Sequence, residues 1–293
     1  METCSYFIED KALFGSYPNS ESVYNELVNI GVKYFIDLTT HKEKLNLNVY
    51  KCENCLSYEI KDRYIPQNIY NFVIFIHNLS KIIKSLKGTE KIYIHCKGGH
   101  GRCGIVVSCL LCYIFKYTST KALELTNAYH NNRKVMNEKW RKIGSPQTEK
   151  QKDFVNRLFK PIYLDKIHIK NTYYPLHNMF NCAIKYDNNY YKNVSVCYYS
   201  LKDKKIFKSL QNCKNFYKFK QIIEDICENN IEGNEKNVLK NIIRNKYNSN
   251  NDVKEIIKRT LIKPIKYTED NIDIGAILEE IREEEYLNKK FKI

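Results

Sequence analysis

The sequence predicts an α/β fold for the first half of the chain, a central sheet flanked by helices, followed by a smaller, mainly helical α+β domain. Three observations carry that expectation. Strand-like and helix-like segments alternate up to about residue 160, Pro161 then marks a boundary, and from Ile167 onward tyrosine-rich alternation gives way to helical periodicity. The domains are accordingly placed at residues 1–163 and 166–293.

Taken in order, Ala12 to Gly15 reads as a strand, Asn19 or Ser20 opens a helix to about Asn29, and the apolar run Val32 to Leu38 is a strand again. After a polar loop, Leu56 to Ile60 suits a strand, Pro66 opens a long apolar-periodic helix to about Leu86, and beyond the break at Gly88 Lys91 to His95 reads as a buried strand. A glycine-rich turn precedes helices expected over Arg102 to Tyr117, Ser119 to about Asn131, and Ser145-Pro146 to near Phe159. In the second half, Tyr186 to Tyr199 alternates, and Phe216 to Cys227, Val238 to Tyr247, Val253 to Thr260 and the acidic stretch Ile274 to Tyr286 read as helices.

At 293 residues, 43% hydrophobic and 28% charged, the composition excludes a disordered chain and allows two ordinary domains. No stretch approaches the roughly 18 uninterrupted apolar residues of a membrane span, and Met1 to Asp10 has neither the basic start nor the apolar core of a secretory leader. The eleven cysteines, spread over both halves without an export signal, read as reduced thiols in the cytoplasm or nucleus. The net charge of +15, divided almost evenly between the halves, favours anionic partners such as phosphorylated substrates, nucleic acid or anionic lipid, against the plainer reading of a solvated lysine-rich surface.

One segment carries chemistry. In Ile92-Tyr93-Ile94-His95-Cys96-Lys97-Gly98-Gly99-His100-Gly101-Arg102-Cys103-Gly104, a cysteine ends a strand and an arginine starts a helix, with five residues between them. Gly98, Gly99 and Gly101 permit backbone conformations in which successive N–H groups point inward, and the helix N-terminus adds partial positive charge at the same place. A phosphate fits such a concavity, and the same field favours the thiolate form of Cys96. The planar fork of Arg102 is suited to grip two phosphate oxygens. The alternative, a turn that merely closes the fold, does not account for this combination of strand, cysteine, glycines, arginine and helix.

The segment resembles the His-Cys-x5-Arg signature of the dual-specificity and tyrosine phosphatase superfamily, and the resemblance extends over roughly residues 5 to 160. Ala12 to Pro18, Ile36 to Thr39, and Gly144 through Gln151 to Val155 are similar to compact members. The resemblance implies a two-step reaction through a phosphocysteine on Cys96, with no metal or other cofactor. It also implies phosphate binding by Lys97, Gly98, Gly99, His100, Gly101 and Arg102, with His95 supporting the loop. Such a reaction needs an acid to protonate the departing oxygen. Asp62, in a strand-end segment before Pro66 that resembles the family's acid loop, is the candidate, with Glu59 and Asp37 as rivals. Cys103 departs from the pattern, standing where the family has Ser or Thr. A thiol donates a weaker hydrogen bond than a hydroxyl, so slow turnover or a phosphate-binding pseudophosphatase is the alternative.

Nothing before Cys96 resembles the insertions that deepen a phosphotyrosine pocket, so a shallow cleft and a phosphoprotein substrate are expected first. Lys97 and His100 resemble basic loop positions of phosphoinositide phosphatases, which places phosphoinositide second. RNA 5′-phosphatases of this fold carry a His and an Asn that are missing here, which places RNA third. Cys52-x2-Cys55 lacks a second ligand pair, and no metal site is expected.

In the second half, Tyr173 to Phe180, Tyr190 to Lys202, Ile243 to Thr260 and the ending Asp273 to Glu284 resemble the NADAR (YbiA-like) family over about residues 172 to 287. That resemblance implies cleavage of N-glycosidic bonds in ADP-ribose-type compounds. The family's glutamate falls on Ser195, however, and its Arg- and Trp-containing block has no counterpart, since the only tryptophan is Trp140. Glycosidases need a carboxylate at the reacting centre. The second half therefore reads as a degenerate relative that binds an ADP-ribose-like ligand or a protein partner, or packs against the first half. Asn178 and Lys202 are its remaining candidate contacts, and Asp187 and Glu224 the candidate substitutes for the lost carboxylate.

Overall fold

A computed structural model describes residues 2–48, 50–165, 169–224 and 234–288. The chain divides into two compact units, Met1–Lys160 joined by the residues from Tyr286 on, and Pro161–Glu285. The expected domain start at residue 166 lies outside the described residues.

In the first unit, β1 (Cys4–Ile8), β2 (Ala12–Ser16), α1 (Glu21–Asn29), β3 (Val32–Asp37), α2 (His41–Lys44), β4 (Cys55–Ser57), α3 (Ile69–Ser85), β5 (Lys91–Cys96), α4 (Gly101–Phe115), α5 (Ser119–Asn131), α6 (Glu138–Ile143) and α7 (Glu149–Leu158) follow one another. The sheet order is β1-β2-β5-β3-β4. Only β1 runs antiparallel, so β5 is central and parallel to both neighbours, with Cys96 opposite Ser16 on one side and His95 opposite Asp37 on the other. All six β5 residues are buried, which is why the strand reads as a continuous apolar run. Helix α4 is buried from Gly101 to Cys112 and packs against α3, α5 and α7. Each fully buried Ile, Val or Leu on it stabilises the fold by about 1.5–3 kcal/mol. The core thus converges on the turn between β5 and α4.

Two helix starts differ from the sequence expectation. The long helix begins at Ile69 rather than Pro66, because the Asn68 side chain accepts from the Asn71 N–H and caps it. The last helix of the unit begins at Glu149 rather than at Ser145-Pro146, because Thr148 and Gln151 form a capping box. Strand β1 and the short helices α2 and α6 were outside the expected elements. The reading of reduced thiols fails at one pair, since Cys52 and Cys55, with Cα atoms 5.8 Å apart, form a disulfide. Eight other described cysteines form no disulfide.

The second unit contains β6 (Ile162–Tyr163), β7 (Ile184–Tyr186), β8 (Asn189–Tyr191), α8 (Val194–Lys202), α9 (Phe207–Asn212), α10 (Phe216–Glu224), α11 (Glu235–Ser249), α12 (Asn251–Arg259), β9 (Ile265–Lys266), β10 (Thr268–Glu269), β11 (Ile272–Asp273) and α13 (Ile274–Arg282). Its strands form three two-stranded pairs, β6-β9, β7-β8 and β10-β11. Two of these are hairpins turned by Asp-Asn, with positive φ at Asp187 and Asn188 (45° and 61°) and at Asp270 and Asn271 (48° and 61°), the geometry that matches strand twist. The alternation from Tyr186 to Tyr199 is therefore not one strand. It is a hairpin followed by α8, whose start is fixed by the Asn193 side chain accepting from Val196 N–H. Helix α10 is described to Glu224, and the rest of the helix expected to Cys227 lies outside the described residues. The closing helix is α-helical to Arg282 and continues as a π-turn over Glu283–Leu287.

Candidate active site

The loop from Cys96 to Arg102 leaves the central strand and enters α4, so its shape is set by two fully buried elements. Gly99 has φ +73°, and a Cβ there would lie 2.3 Å from the Gly15 carbonyl carbon, so only glycine fits against the end of β2. Gly98 and Gly101 do not adopt left-handed backbone, contrary to the expectation that all three glycines serve the same purpose. Gly101 is small because a Cβ would meet Gln151 at 2.8 Å. The Lys97 side chain is exposed.

Cys96 is 2% exposed, and its sulfur accepts from the Gly99 N–H at 3.2 Å. Its pKa is pulled down from an ordinary 9.0 to about 6, first by a hydrogen bond from the Cys103 thiol, against the opposing effect of burial, and then by the Arg102 charge and the backbone N–H groups of Cys103 and Gly99. Burial holds Cys103 itself well above its ordinary value, so it stays a protonated donor. Its other acceptors, the carbonyls of Ile94 and Gly15, are distant at 3.7 and 3.8 Å.

Arg102 is 2% exposed. Nη1 and Nη2 donate to the two carboxylate oxygens of Glu43 at 2.7 and 3.0 Å, Nη1 also donates to the Ile60 carbonyl, and Nη2 lies 3.2 Å from Asp62 Oδ1. Nε is buried and has no hydrogen-bond partner among the described residues. Burial is the largest single influence and opposes the charge of Arg102, but the Glu43 bond together with the negative charges of Cys96, Glu43 and Asp62 outweighs it and keeps the guanidinium firmly protonated. Glu43, which sequence reasoning missed, also caps α2, because its Oε2 accepts from Thr40 N–H and Oγ1, both at 3.0 Å.

Asp62 is exposed at the mouth of the loop, on a tight turn closed by Tyr64 N–H to Lys61 O and by Arg63 at φ +63°. Gln151 Nε2 holds that turn through the Tyr64 carbonyl at 3.2 Å. The rivals are committed elsewhere. Glu59 Oε1 accepts from His41 N–H at 2.9 Å, and Asp37 accepts from Thr39 N–H and Oγ1 and pairs with Lys44 at 3.1 Å. His95 is fully buried, and burial pushes it down to about 4, so its ring is neutral. The Tyr50 phenol, kept protonated by its own burial, donates to Nε2 at 2.5 Å, which leaves the ring proton on Nδ1 facing Asp37 at 3.8 Å. His100 is no cation either. It stacks on Trp140 at 5.0 Å, its Nδ1 lies 2.8 Å from His130 Nε2, and burial lowers its pKa to about 4.

A second arginine without a place in the sequence reading, Arg133, lies beneath the loop and is 3% exposed. Its Nη2 donates to the carbonyls of Gly99 at 2.8 Å and Phe14 at 3.4 Å. No sequence signal marks it beyond its place after α5.

In the second unit, Asn178 and Ser195, both 1% exposed, meet at one carboxylate that is neither Asp187 nor Glu224. Glu269 accepts from Asn178 Nδ2 at 2.6 Å, Ser195 Oγ at 3.1 Å and Tyr267 Oη at 3.1 Å, and burial raises its pKa. Lys202 does not join them. It pairs with Asp270 at 3.2 Å and Glu235 at 3.6 Å. Among the described residues no group of three or more His, Cys, Asp or Glu side chains is arranged to hold a metal, and no helix is long and apolar enough to cross a membrane.

A mainly parallel sheet whose central strand ends in a cysteine, followed by a phosphate-sized turn into a buried helix, defines a phosphatase domain of the dual-specificity and tyrosine type. Residues 2–155 match the model of the PTP-SAK family, described as the Swiss Army Knife protein DSP-PTPase phosphatase domain, and the chain belongs to that family. It is 39% identical over 169 residues to "Putative tyrosine phosphatase 197R" of Invertebrate iridescent virus 6 and 40% identical over 162 residues to "Putative tyrosine phosphatase 067L" of Invertebrate iridescent virus 3. Each match takes in 54% of this chain and spans 58% and 66% of the respective relative. Similar solved structures include Tk-PTP in the active form (17% identity, TM-score 0.41, 53% of this chain and 95% of that one). Another is kinase associated phosphatase with its catalytic cysteine replaced by serine (18%, 0.42, 53% and 91%).

Proposed function

We propose that the chain is a metal-independent phosphatase that hydrolyses phosphomonoesters, phosphotyrosine, phosphoserine or phosphothreonine of proteins first among them, through a phosphocysteine on Cys96. The observation that carries the reading is the convergence of a low-pKa thiol, a buried arginine with an open Nε, and an exposed carboxylate 3.2 Å from that same arginine. Thiolate attack on phosphorus expels the substrate oxygen, Arg102 and the loop N–H groups hold the phosphoryl oxygens, and Asp62 delivers the proton. The carboxylate of Asp62 then removes a proton from the water that attacks the phosphocysteine. Cys103, buried and held protonated beside Cys96, is the thiol placed to stabilise the leaving sulfur in that second step, as a weaker donor than the hydroxyl it replaces.

The inward, neutral setting of His100 leaves Lys97 as the cation of the loop besides the buried Arg102, which supports phosphoprotein over phosphoinositide. The full chain is expected to release phosphate from aryl phosphates with a chelator present and to be inhibited by vanadate. Activity that depends on added metal, or that persists in Cys96→Ser, would show the assignment to be wrong. The same Cys96→Ser protein, used as a trap against phosphopeptides, phosphoinositides and 5′-phosphorylated RNA, ranks the substrate classes. The second unit is read as binding a ligand or partner without glycosidase chemistry, so the full chain should leave ADP-ribosylated nucleotides intact.

A further inference from the structure

Arg133 is a buried cation with no carboxylate partner among the described residues. Its two hydrogen bonds go to neutral carbonyls, its guanidinium lies 4.7 Å from the Phe14 ring, and its Nε has no partner. Enclosing a charge in this way costs several kcal/mol unless an opposite charge offsets it. The groups whose negative charge would act on it are the thiols of Cys103, Cys96 and Cys4 and the phenol of Tyr93. Of these, Cys96 alone is pulled down, while burial raises the other three. Of the other ionisable groups around it, His100 and His130 are held neutral and Arg141 is a second cation. Among the described residues, the one group acting on Arg133 whose surroundings favour its anionic form is therefore Cys96.

The hydrogen bonds are placed as well as the charge. Arg133 holds the Gly99 carbonyl on the side away from Cys96, and Gly99 is the residue whose own N–H points at the Cys96 sulfur. By taking the Phe14 carbonyl too, it ties the loop to β2. Arg141 Nη2 donates to the Arg133 carbonyl at 3.1 Å and its Nη1 to the Asn131 carbonyl, which braces the segment.

We propose that Arg133 is a positioning residue of the phosphatase site: it fixes the loop so that the Gly99 N–H faces Cys96, and it supplies from behind the loop a positive charge whose counterpart is the thiolate and then the bound phosphate. The proposal rests on Cys96 as nucleophile, and its test does not need turnover. Alkylation of the full-length protein by iodoacetamide as a function of pH, with Cys96→Ser to subtract other thiols, gives the Cys96 midpoint, expected near 6 in the parent protein. Arg133→Met should raise that midpoint by about one unit, a tenfold loss of thiolate at fixed acidic pH. Arg133→Lys keeps the charge without the fork that bridges two carbonyls, and should fall between. A folded Arg133→Met protein, judged by a cooperative melt, that keeps the parent midpoint would overturn the proposal and reduce Arg133 to a packing residue. Should that variant not fold, Arg133→Lys decides alone, an unchanged midpoint again being fatal. A raised midpoint in a protein that hydrolyses no phosphomonoester would instead retain the positioning role and remove the phosphatase reading.

Discussion

The loop at Cys96 and the polar centre at Glu269 are both polar and rich in hydrogen bonds, yet they are organised in opposite ways. At Glu269 each carboxylate oxygen has a donor, and Asn178, Ser195 and Tyr267 are satisfied by it. At Cys96 the surroundings favour the thiolate, and among the described residues Arg102 Nε has no partner and Arg133 no carboxylate. A satisfied network stabilises one structure, whereas polar capacity left over at a fixed place is what a ligand can complete. The signs of the pKa shifts follow the same division, since the Cys96 environment favours its charged form and the Glu269 environment its neutral form.

The largest effect that would break this contrast is at the nucleophile. Cys96→Ser should lower phosphate release by at least about 10⁴-fold while leaving the melting temperature nearly unchanged. Next, Asp62→Ala should slow substrates with poor leaving groups by about 10²–10³-fold and good ones far less, read from rates across a series of aryl phosphates. A larger leaving-group dependence in Glu59→Ala would move the acid. Smaller still, Cys103→Thr should speed breakdown of the phosphocysteine by about 2–10-fold, because a hydroxyl is the better donor to the leaving sulfur; pre-steady-state burst measurements separate that step. At the other centre, Glu269→Gln should leave phosphatase rates untouched and cost about 1–3 kcal/mol of stability through a mispaired amide, seen as a lower melting transition.

The pH dependence sharpens the same comparison. The Cys96 pKa is depressed on folding, so its contribution to stability is complete above 9.0 and is lost as pH falls through about 6, and kcat/KM should lose its thiolate over the same acidic limb. The Glu269 pKa is raised above 4.5, so its contribution is complete below that value and disappears as pH rises through the folded pKa. Thermal melts of the parent and of Glu269→Gln should therefore move further apart on acidification, since only the parent gains stability by protonating the carboxyl.

Much of the first unit is legible in sequence because its signals are local. The buried run Lys91 to His95 and the Cys96 to Arg102 spacing lie within a dozen residues, and the Ser20 cap sits directly before its helix. What escaped notice depends on side chains that meet across long intervals. Glu43 and Arg102, like Arg133 and Gly99, are joined by the fold alone, and Glu269 reaches Ser195 from 74 residues away. The two Asp-Asn turns were legible in principle, since both residues tolerate left-handed backbone, but the tyrosine alternation around the first of them masks the hairpin's end.

Helix α2 is four residues long, far shorter than a helix that persists on its own. Its nucleation is sustained by the Glu43 carboxylate, which is at once the cap of that helix and the clamp on Arg102. The helix cap and the arginine clamp thus share one carboxylate, so the two are coupled through Glu43. Removal of Arg102 would accordingly report more than lost phosphate contacts, because it also strands Glu43 and melts the segment that carries it. Separating the two requires Thr40→Ala, which weakens the cap while every phosphate-facing group stays in the chain.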